Sequence, residues 1–218
     1  MSELDRLAEA DLWSWLVGVF AAPPGAGAIE AWRAGPARER LDDLAEDAEL
    51  QPFVARMRAA MPDAESAAAV AARLNHLYGR LFLGVGGPST IPPYESAHVG
   101  EGRLFQAPTA EMERLVAAHD LHVDPAFREP ADHLAIELAL MARLVGADHP
   151  DRAALAARLA GWTPRFCRLC AGGDADGFFA GAAGLLAVLV ARESRRVAVS
   201  VEQTQFNRGE GHDDRQRA

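Results

Sequence analysis

The sequence predicts an all-α protein, folded as a single compact multi-helix domain over residues 1–195. Three observations carry this. Apolar residues recur three and four apart along most of the chain. No stretch longer than five residues reads as a strand, "VAVSV" at 197–201 coming nearest. No linker-like segment divides the chain, and 218 residues suit one large domain.

The first helix carries Leu4, Leu7, Ala8, Leu12, Trp15, Leu16 and Val19 on one face and is stopped by Pro23-Pro24. A weaker helix starts at Ala37 in "ARERLDDLAEDAEL", and another covers 52–60. Pro62-Asp63 opens a strong one, in which Val70, Leu74, Leu77, Tyr78, Leu81 and Phe82 repeat at helical spacing and Gly84 ends the run. Residues 83–106, "LGVGGPSTIPPYESAHVGEGRLFQ", are too rich in glycine and proline for a regular helix. Such a long loop in a compact domain is usually functional or disordered. Ile91, Tyr94, Leu104 and Phe105 point to a packed, ordered one. Helices resume over 108–119, 129–145, 151–160, 163–171 and 176–195. Residues 196–218 read as a polar tail, expected to be disordered. The arginine pair in "SRRVAV" at its start reads as a helix C-terminus, where cations suit the dipole.

Composition removes several function classes. A net charge of −9 opposes general nucleic-acid binding, which requires a basic face. All 22 basic residues are arginine, so no lysine can serve a P-loop, a Schiff base or a kinase site. The apolar run from Phe178 to Ala191 is shorter than the roughly 20 residues of a membrane span. The acidic, amphipathic start "MSELDRLAEADLW" is unlike a secretory signal, which gives a cytoplasmic expectation. Cys167 and Cys170 form one CxxC without a second ligand pair and read as buried, reduced thiols. The glycines Gly84, Gly86 and Gly87 follow a helix, the wrong context for a dinucleotide fingerprint. His119 and His122 sit three apart at a helix end without a supporting carboxylate at helical spacing, so no metal site is assigned. Ser89 and Ser96 lack a nucleophile-elbow context.

The stretch "FREPADHLAIELALM", 127–141, poses the functional question. Glu129, Asp132 and His133 stand at the start of a helix whose Leu134, Leu138, Met141 and Val145 form an apolar stripe. Acids in a first turn after proline complement the helix dipole, so capping alone would account for them. With Glu137 one turn on, the same groups could also accept arginine side chains.

Several motifs together resemble the TorD/DmsD family of redox-enzyme maturation chaperones. They are "YGRLFLG" from Tyr78, "PPYESAH" from Pro92, "EPADHLAIELALMARL" from Glu129, "GWTPRFC" from Gly161 and "GFFAGAAGLLAVLVARE" from Gly177. The likeness covers residues 8–194 and is less close to the related NarJ-type nitrate-reductase chaperones. It implies a cytoplasmic, all-helical, non-enzymatic chaperone with no cofactor of its own. Such a protein binds the twin-arginine signal peptide of a molybdenum-cofactor oxidoreductase precursor until the cofactor is inserted and the precursor is exported. By the same resemblance Asp132 and His133 match the peptide-binding motif and Tyr94, Glu95 and Ser96 its neighbouring loop motif; Glu129 and Glu137 join them as further carboxylates able to accept the client's arginines. Tyr78, Leu81 and Phe82 are expected to line an adjoining apolar groove. Burying three or four client side chains, at about 1.5–3 kcal/mol each, against an ordering cost of roughly 2–5 kcal/mol or more, points to micromolar affinity. The long loop leaves a helix-exchanged homodimer open. Two further readings stand beside this one. The first is a helical scaffold subunit of a redox complex; the second is a small hydrolase using His133 with Asp132 or Glu137 as general base.

Overall fold

The computed structural model describes residues 3–85, 90–99, 106–174 and 176–213; the side chains of Leu4 and of 197–213 are outside that description. The expectations placed on Leu104 and Phe105 therefore lie outside the described residues. Among the described residues ten helices follow in chain order: α1 (Glu3–Ala21), α2 (Ala26–Arg33), α3 (Pro36–Glu46), α4 (Gln51–Ala59), α5 (Ala67–Phe82), α6 (Glu95–His98), α7 (Ala107–Ala118), α8 (Leu134–Gly146), α9 (Arg152–Gly173) and α10 (Phe178–Asp213). Among the described residues the only β pairing outside strands is one antiparallel bridge, Tyr94 with His133. The all-α class holds.

α1 packs along α8, α10 lies against α9 and α4, and α2 and α3 close over α5 and α4. Between them lies a core led by Trp13, Phe20, Trp162, Phe166, Phe178 and Phe179. The Tyr78 hydroxyl donates to the Phe20 carbonyl at 2.9 Å, so even its polar atom is satisfied inside. The six-residue stripe predicted for α5 is wholly buried. Ser66 caps that helix, its Oγ accepting from the Ala69 N–H at 3.2 Å. Gly84, at φ 75°, ends it and lets the Val85 N–H reach back to the Gly79 carbonyl.

Several boundaries differ from the sequence reading. In α1 the buried face is Leu12, Trp13, Leu16, Val19 and Phe20, whereas Leu7 is exposed. α2 was not foreseen, and the short α6 lies inside the expected loop. α9 is one helix rather than two and carries Pro164 internally; the Thr163 hydroxyl bonds the Leu159 carbonyl within it, and Trp162 and Phe166 bury both turns. α10 continues to Asp213, through most of the segment expected to be an irregular tail. Arg196 consequently sits inside a helix, where it pairs with Glu9 of α1 and the fully buried Glu193.

α10 begins where the buried Asp174 accepts the Gly177 N–H (2.9 Å) and the Ala180 N–H (2.8 Å). It then approaches α4 closely because its contact face is glycine. A Cβ on Gly181 would stand 2.7 Å from the Phe53 carbonyl oxygen, and one on Gly184 2.1 Å from the Phe53 ring. The Phe53 ring can swing aside, but the Phe53 carbonyl cannot. Gly181→Ala is therefore expected to destabilise the protein by about 1–3 kcal/mol, read as a lower urea midpoint at unchanged slope. An unaltered midpoint would refute the close-packing account.

Candidate functional site: an interlocked polar cluster

The two motifs that stood out in the sequence meet at the start of α8. Pro92 and Pro93 hold their segment extended, and it lies antiparallel to 132–134. The Leu134 N–H donates to the Pro93 carbonyl at 2.7 Å, and the Glu95 N–H to the Asp132 carbonyl at 3.0 Å. The first four N–H groups of a helix lack partners within it. In α8 all four are satisfied: Leu134 by Pro93, Ala135 by the His133 ring, and Ile136 and Glu137 by the His133 carbonyl. The helix therefore starts at Leu134 with His133 as its cap. The expectation of a first turn at Glu129 is corrected: 130–133 closes a turn through the His133 N–H and the Pro130 carbonyl, and Asp132 and Leu134 are bonded to the other motif.

His133 Nδ1 accepts the Ala135 N–H at 3.1 Å, which places the proton of the neutral ring on Nε2. Burial holds its pKa down at about 4, against the opposing pull of Glu129 and Asp132. The edges of Tyr94 and Phe127 pack against the ring. Asp132, 0 % exposed, uses both oxygens. Oδ2 accepts the Ser96 N–H at 3.0 Å, and Oδ1 accepts the Thr109 hydroxyl at 2.8 Å. One carboxylate thus joins α6, α7 and the entry to α8.

A second layer lies beneath. Glu137 is also 0 % exposed; its Oε2 accepts the Trp162 indole N–H at 3.1 Å. Burial, then the neighbouring charge of Glu95, pushes its carboxyl well above the usual range, so Glu137 is held protonated. Glu95 is ion-paired with Arg158 of α9. The same guanidinium bonds Glu111 Oε2 at 2.7 Å and the Pro108 carbonyl at 2.8 Å. The acids at this helix mouth do accept an arginine, but it is the chain's own.

The structure therefore brings Tyr94, Glu95, Ser96, Glu129, Asp132, His133 and Glu137 together, but not as an open acidic mouth. Glu95, Ser96, Asp132, His133 and Glu137 are buried, and only Tyr94 and Glu129 are half-exposed, with the Tyr94 hydroxyl donating to Glu129 Oε2 at 2.7 Å. Nor do Tyr78, Leu81 and Phe82 line a groove: all three are buried, the Phe82 ring packed among Phe20, Tyr78, Phe166 and Phe179. A helical stripe can face a core or a cleft, and this one faces the core. Exposed apolar residues do follow directly on this stripe, Leu83 (58 %) and Val85 (64 %). Ile91 donates to the Leu81 carbonyl and Arg80 to the Gly173 carbonyl, so these ends of α5 and α9 adjoin the motif segment. Surface cavities of about 200, 260 and 430 Å³ are lined by Arg33 and Arg58, by Trp15 and Leu41, and by Arg73 and Arg80; none of these three is lined by a residue expected to bind peptide or line the groove, although Arg80 lies in the "YGRLFLG" motif. Thr109, Arg158 and Trp162 were not foreseen as members. Cys167 and Cys170 are free and buried, and burial pushes the Cys167 thiol up to about 12, which suits inert thiols.

The family described as nitrate reductase delta subunit matches residues 42–168, more than half the chain. The chain belongs to this family. Among its curated relatives are chaperones named TorD. That of Ferrimonas balearica is 32% identical over 188 residues, 83% of this chain and 86% of the relative. That of Aliivibrio salmonicida is 28% identical over 196 residues, covering 83% and 91%, and one from Vibrio cholerae is 26% identical over 219 residues, covering 94% and 99%. The fold class and the TorD-type chaperone family expected from the motifs thus both stand.

Two expectations follow from the cluster. In Asp132→Asn one oxygen becomes an N–H₂ facing either the Ser96 N–H or the Thr109 hydroxyl. The loss should be about 2–4 kcal/mol, with faster amide exchange concentrated in α6 and the start of α7. Exchange rates unchanged there would contradict the linking role.

Titration supplies the second. The unfolded chain protonates His133 near 6.5 but the folded chain only near 4, so stability present above 6.5 is lost as pH falls through that window, by roughly 3 kcal/mol. Glu137 works in the opposite sense. Its raised pKa makes its contribution full below 4.5 and lost as pH rises. Urea midpoints against pH should show the acid arm flattened in His133→Asn, which can still cap, and the alkaline arm flattened in Glu137→Gln. Wild-type slopes retained in both variants would remove these groups as the cause.

Proposed function

We propose that this protein is a cytoplasmic chaperone for a molybdenum-cofactor oxidoreductase precursor, holding it by its twin-arginine signal peptide until cofactor insertion and export. Membership of a family whose curated relatives are TorD chaperones is the observation that carries this reading. In this reading the motif residues have different tasks. Asp132, His133, Glu95, Ser96 and Glu137 set the backbone of the platform from inside. Glu129, held by Tyr94 at the surface, is the acid offered to a client guanidinium. Leu83 and Val85, exposed at the end of α5, offer apolar contact, in keeping with a leader that is basic and then greasy. The net charge of −9 favours the approach of such a peptide.

Isothermal titration with a twin-arginine leader peptide tests this. Micromolar binding is expected, weakened for a Lys-Lys variant and for Glu129→Gln. Leu83→Ser combined with Val85→Ser should lower affinity by about tenfold or more, since each buried apolar side chain is worth roughly 1.5–3 kcal/mol. Equal affinity for both peptides, or binding of neither, would overturn the reading.

A further inference from the structure

Away from the motif cluster, two helix ends and one helix start converge on His119, His149 and Asp151. One donor atom from each lies within 4.8 Å of the others. His119 Nε2 is 3.1 Å from Asp151 Oδ2, and His149 Nδ1 is 3.9 Å from the same oxygen. Donors about 2.0–2.1 Å from a tetrahedral ion stand roughly 3.3 Å apart, so small movements would bring this set to a metal's requirement. We propose that His119, His149 and Asp151 form a site for a borderline divalent transition ion such as Zn²⁺, with a fourth position open to solvent or another ligand.

The backbone fixes the donors in advance. α7 ends with Asp120 in the left-handed region (φ 46°), its N–H on the Ala117 carbonyl and that of Leu121 on Val116. α8 ends the same way, with Asp148 at φ 51°, its N–H on Val145 and that of His149 on Leu144. Both are Schellman closures, which leave little freedom at His119 and His149. Asp151 occupies the N-cap position of α9, yet its side chain makes no capping bond. Its own N–H donates to His149 Nδ1 at 3.2 Å, a bond that an ion on Nδ1 would replace, while its carboxylate faces His119. An aspartate at an N-cap usually bonds the first turn, so this orientation needs another reason. The C-terminal ends of α7 and α8 also carry partial negative charge toward the site, which favours a cation. Arg6 and Arg152 stand near but are turned to Asp148, Arg152 also to Glu193.

The donor set suits the ion. Two imidazoles and a carboxylate favour Zn²⁺, Co²⁺ or Ni²⁺ over Ca²⁺ or Mg²⁺, which prefer all-oxygen shells. The sequence pairs His119 with His122 by spacing; the fold pairs it instead with a residue of the next turn region, 30 positions on. An ion here would fasten the end of α7 to the α8–α9 turn, opposite the end already held by Thr109 and Arg158. The proposal is independent of the chaperone reading.

The test is equilibrium dialysis of the untagged full chain against Zn²⁺, with the Co²⁺ absorption spectrum as a second measure. One Zn²⁺ per chain and a tetrahedral cobalt spectrum without thiolate bands are expected. His119→Ala and His149→Ala should each weaken binding by about tenfold or more, while Cys167→Ser with Cys170→Ser should leave it unchanged. His149 is in an exposed turn, so its variant remains informative if His119→Ala perturbs folding, which circular dichroism would report. Failure to bind Zn²⁺ at micromolar concentration would overturn the site. So would affinity unchanged in His149→Ala, or loss of binding with the cysteines.

Discussion

The start of α8 is buried, so its four free N–H groups must be satisfied by protein. That constraint organises this face of the molecule. Pro93 and His133 answer for all four groups between them, and the pairing this requires carries Glu95 and Ser96 onto Asp132. α6, only four residues long, could not persist unaided, because a helix of one turn does not repay its nucleation cost. It is held at one end by Asp132 and at Glu95 by Arg158. The same two side chains seize the start of α7, through Thr109 and Pro108. A segment that composition marks as irregular is thereby made part of the bundle.

The carboxyl groups of this cluster are an expensive way to fill a core. Removing charge from water costs several kcal/mol per ion, and one arginine returns that only with good geometry and further hydrogen bonds. Here the cost is reduced by keeping Glu137 neutral. Its Oε2 still accepts from Trp162, and Arg158 has a single buried anion to neutralise instead of two. Such an arrangement is satisfied in one register only. Shifting either motif by a residue would strand a charge, so the polar layer specifies how the two segments meet even if it adds little to overall stability.

How much of this could be read from the sequence depends on the range of the interaction. The α5 stripe was legible because it is local and periodic, and all six residues are where spacing puts them. α1 was legible as a helix but not in its rotation: Trp13 and Phe20 widen the stripe toward one side and leave Leu7 in solvent. α2 hides in a run of alanine and glycine with little pattern, although Trp32 stacks on Phe178 and Ile29 is buried. α9 was divided at Gly161 and Pro164 because propensity there opposes a helix that burial on both sides sustains. The motif residues were legible as a group, yet not in their orientation. "EPADH" fits a first turn and a pre-helical strap equally well; the choice is made by Ser96 and Thr109, 36 and 23 positions away, which no periodicity reports. Arg158, one of 22 arginines, carries no local mark at all.

Orientation also bears on how a client could be held and released. A guanidinium seeking Glu95 or Glu137 would have to displace Arg158, and with it the bonds to Glu111 and Pro108 that keep α7 in place. Glu129 imposes no such penalty. Burial and the adjacent carboxylate keep the Tyr94 phenol protonated, so it donates to one oxygen of Glu129 and fixes the side chain. Under the proposed reading a client arginine there would face no ion pair among the described residues, and exposed apolar side chains at the end of α5 would supply further contact. Binding of that kind needs little rearrangement in either direction. In the proposed role the buried acids therefore set the position of the surface one, and the surface one can let go without disturbing them.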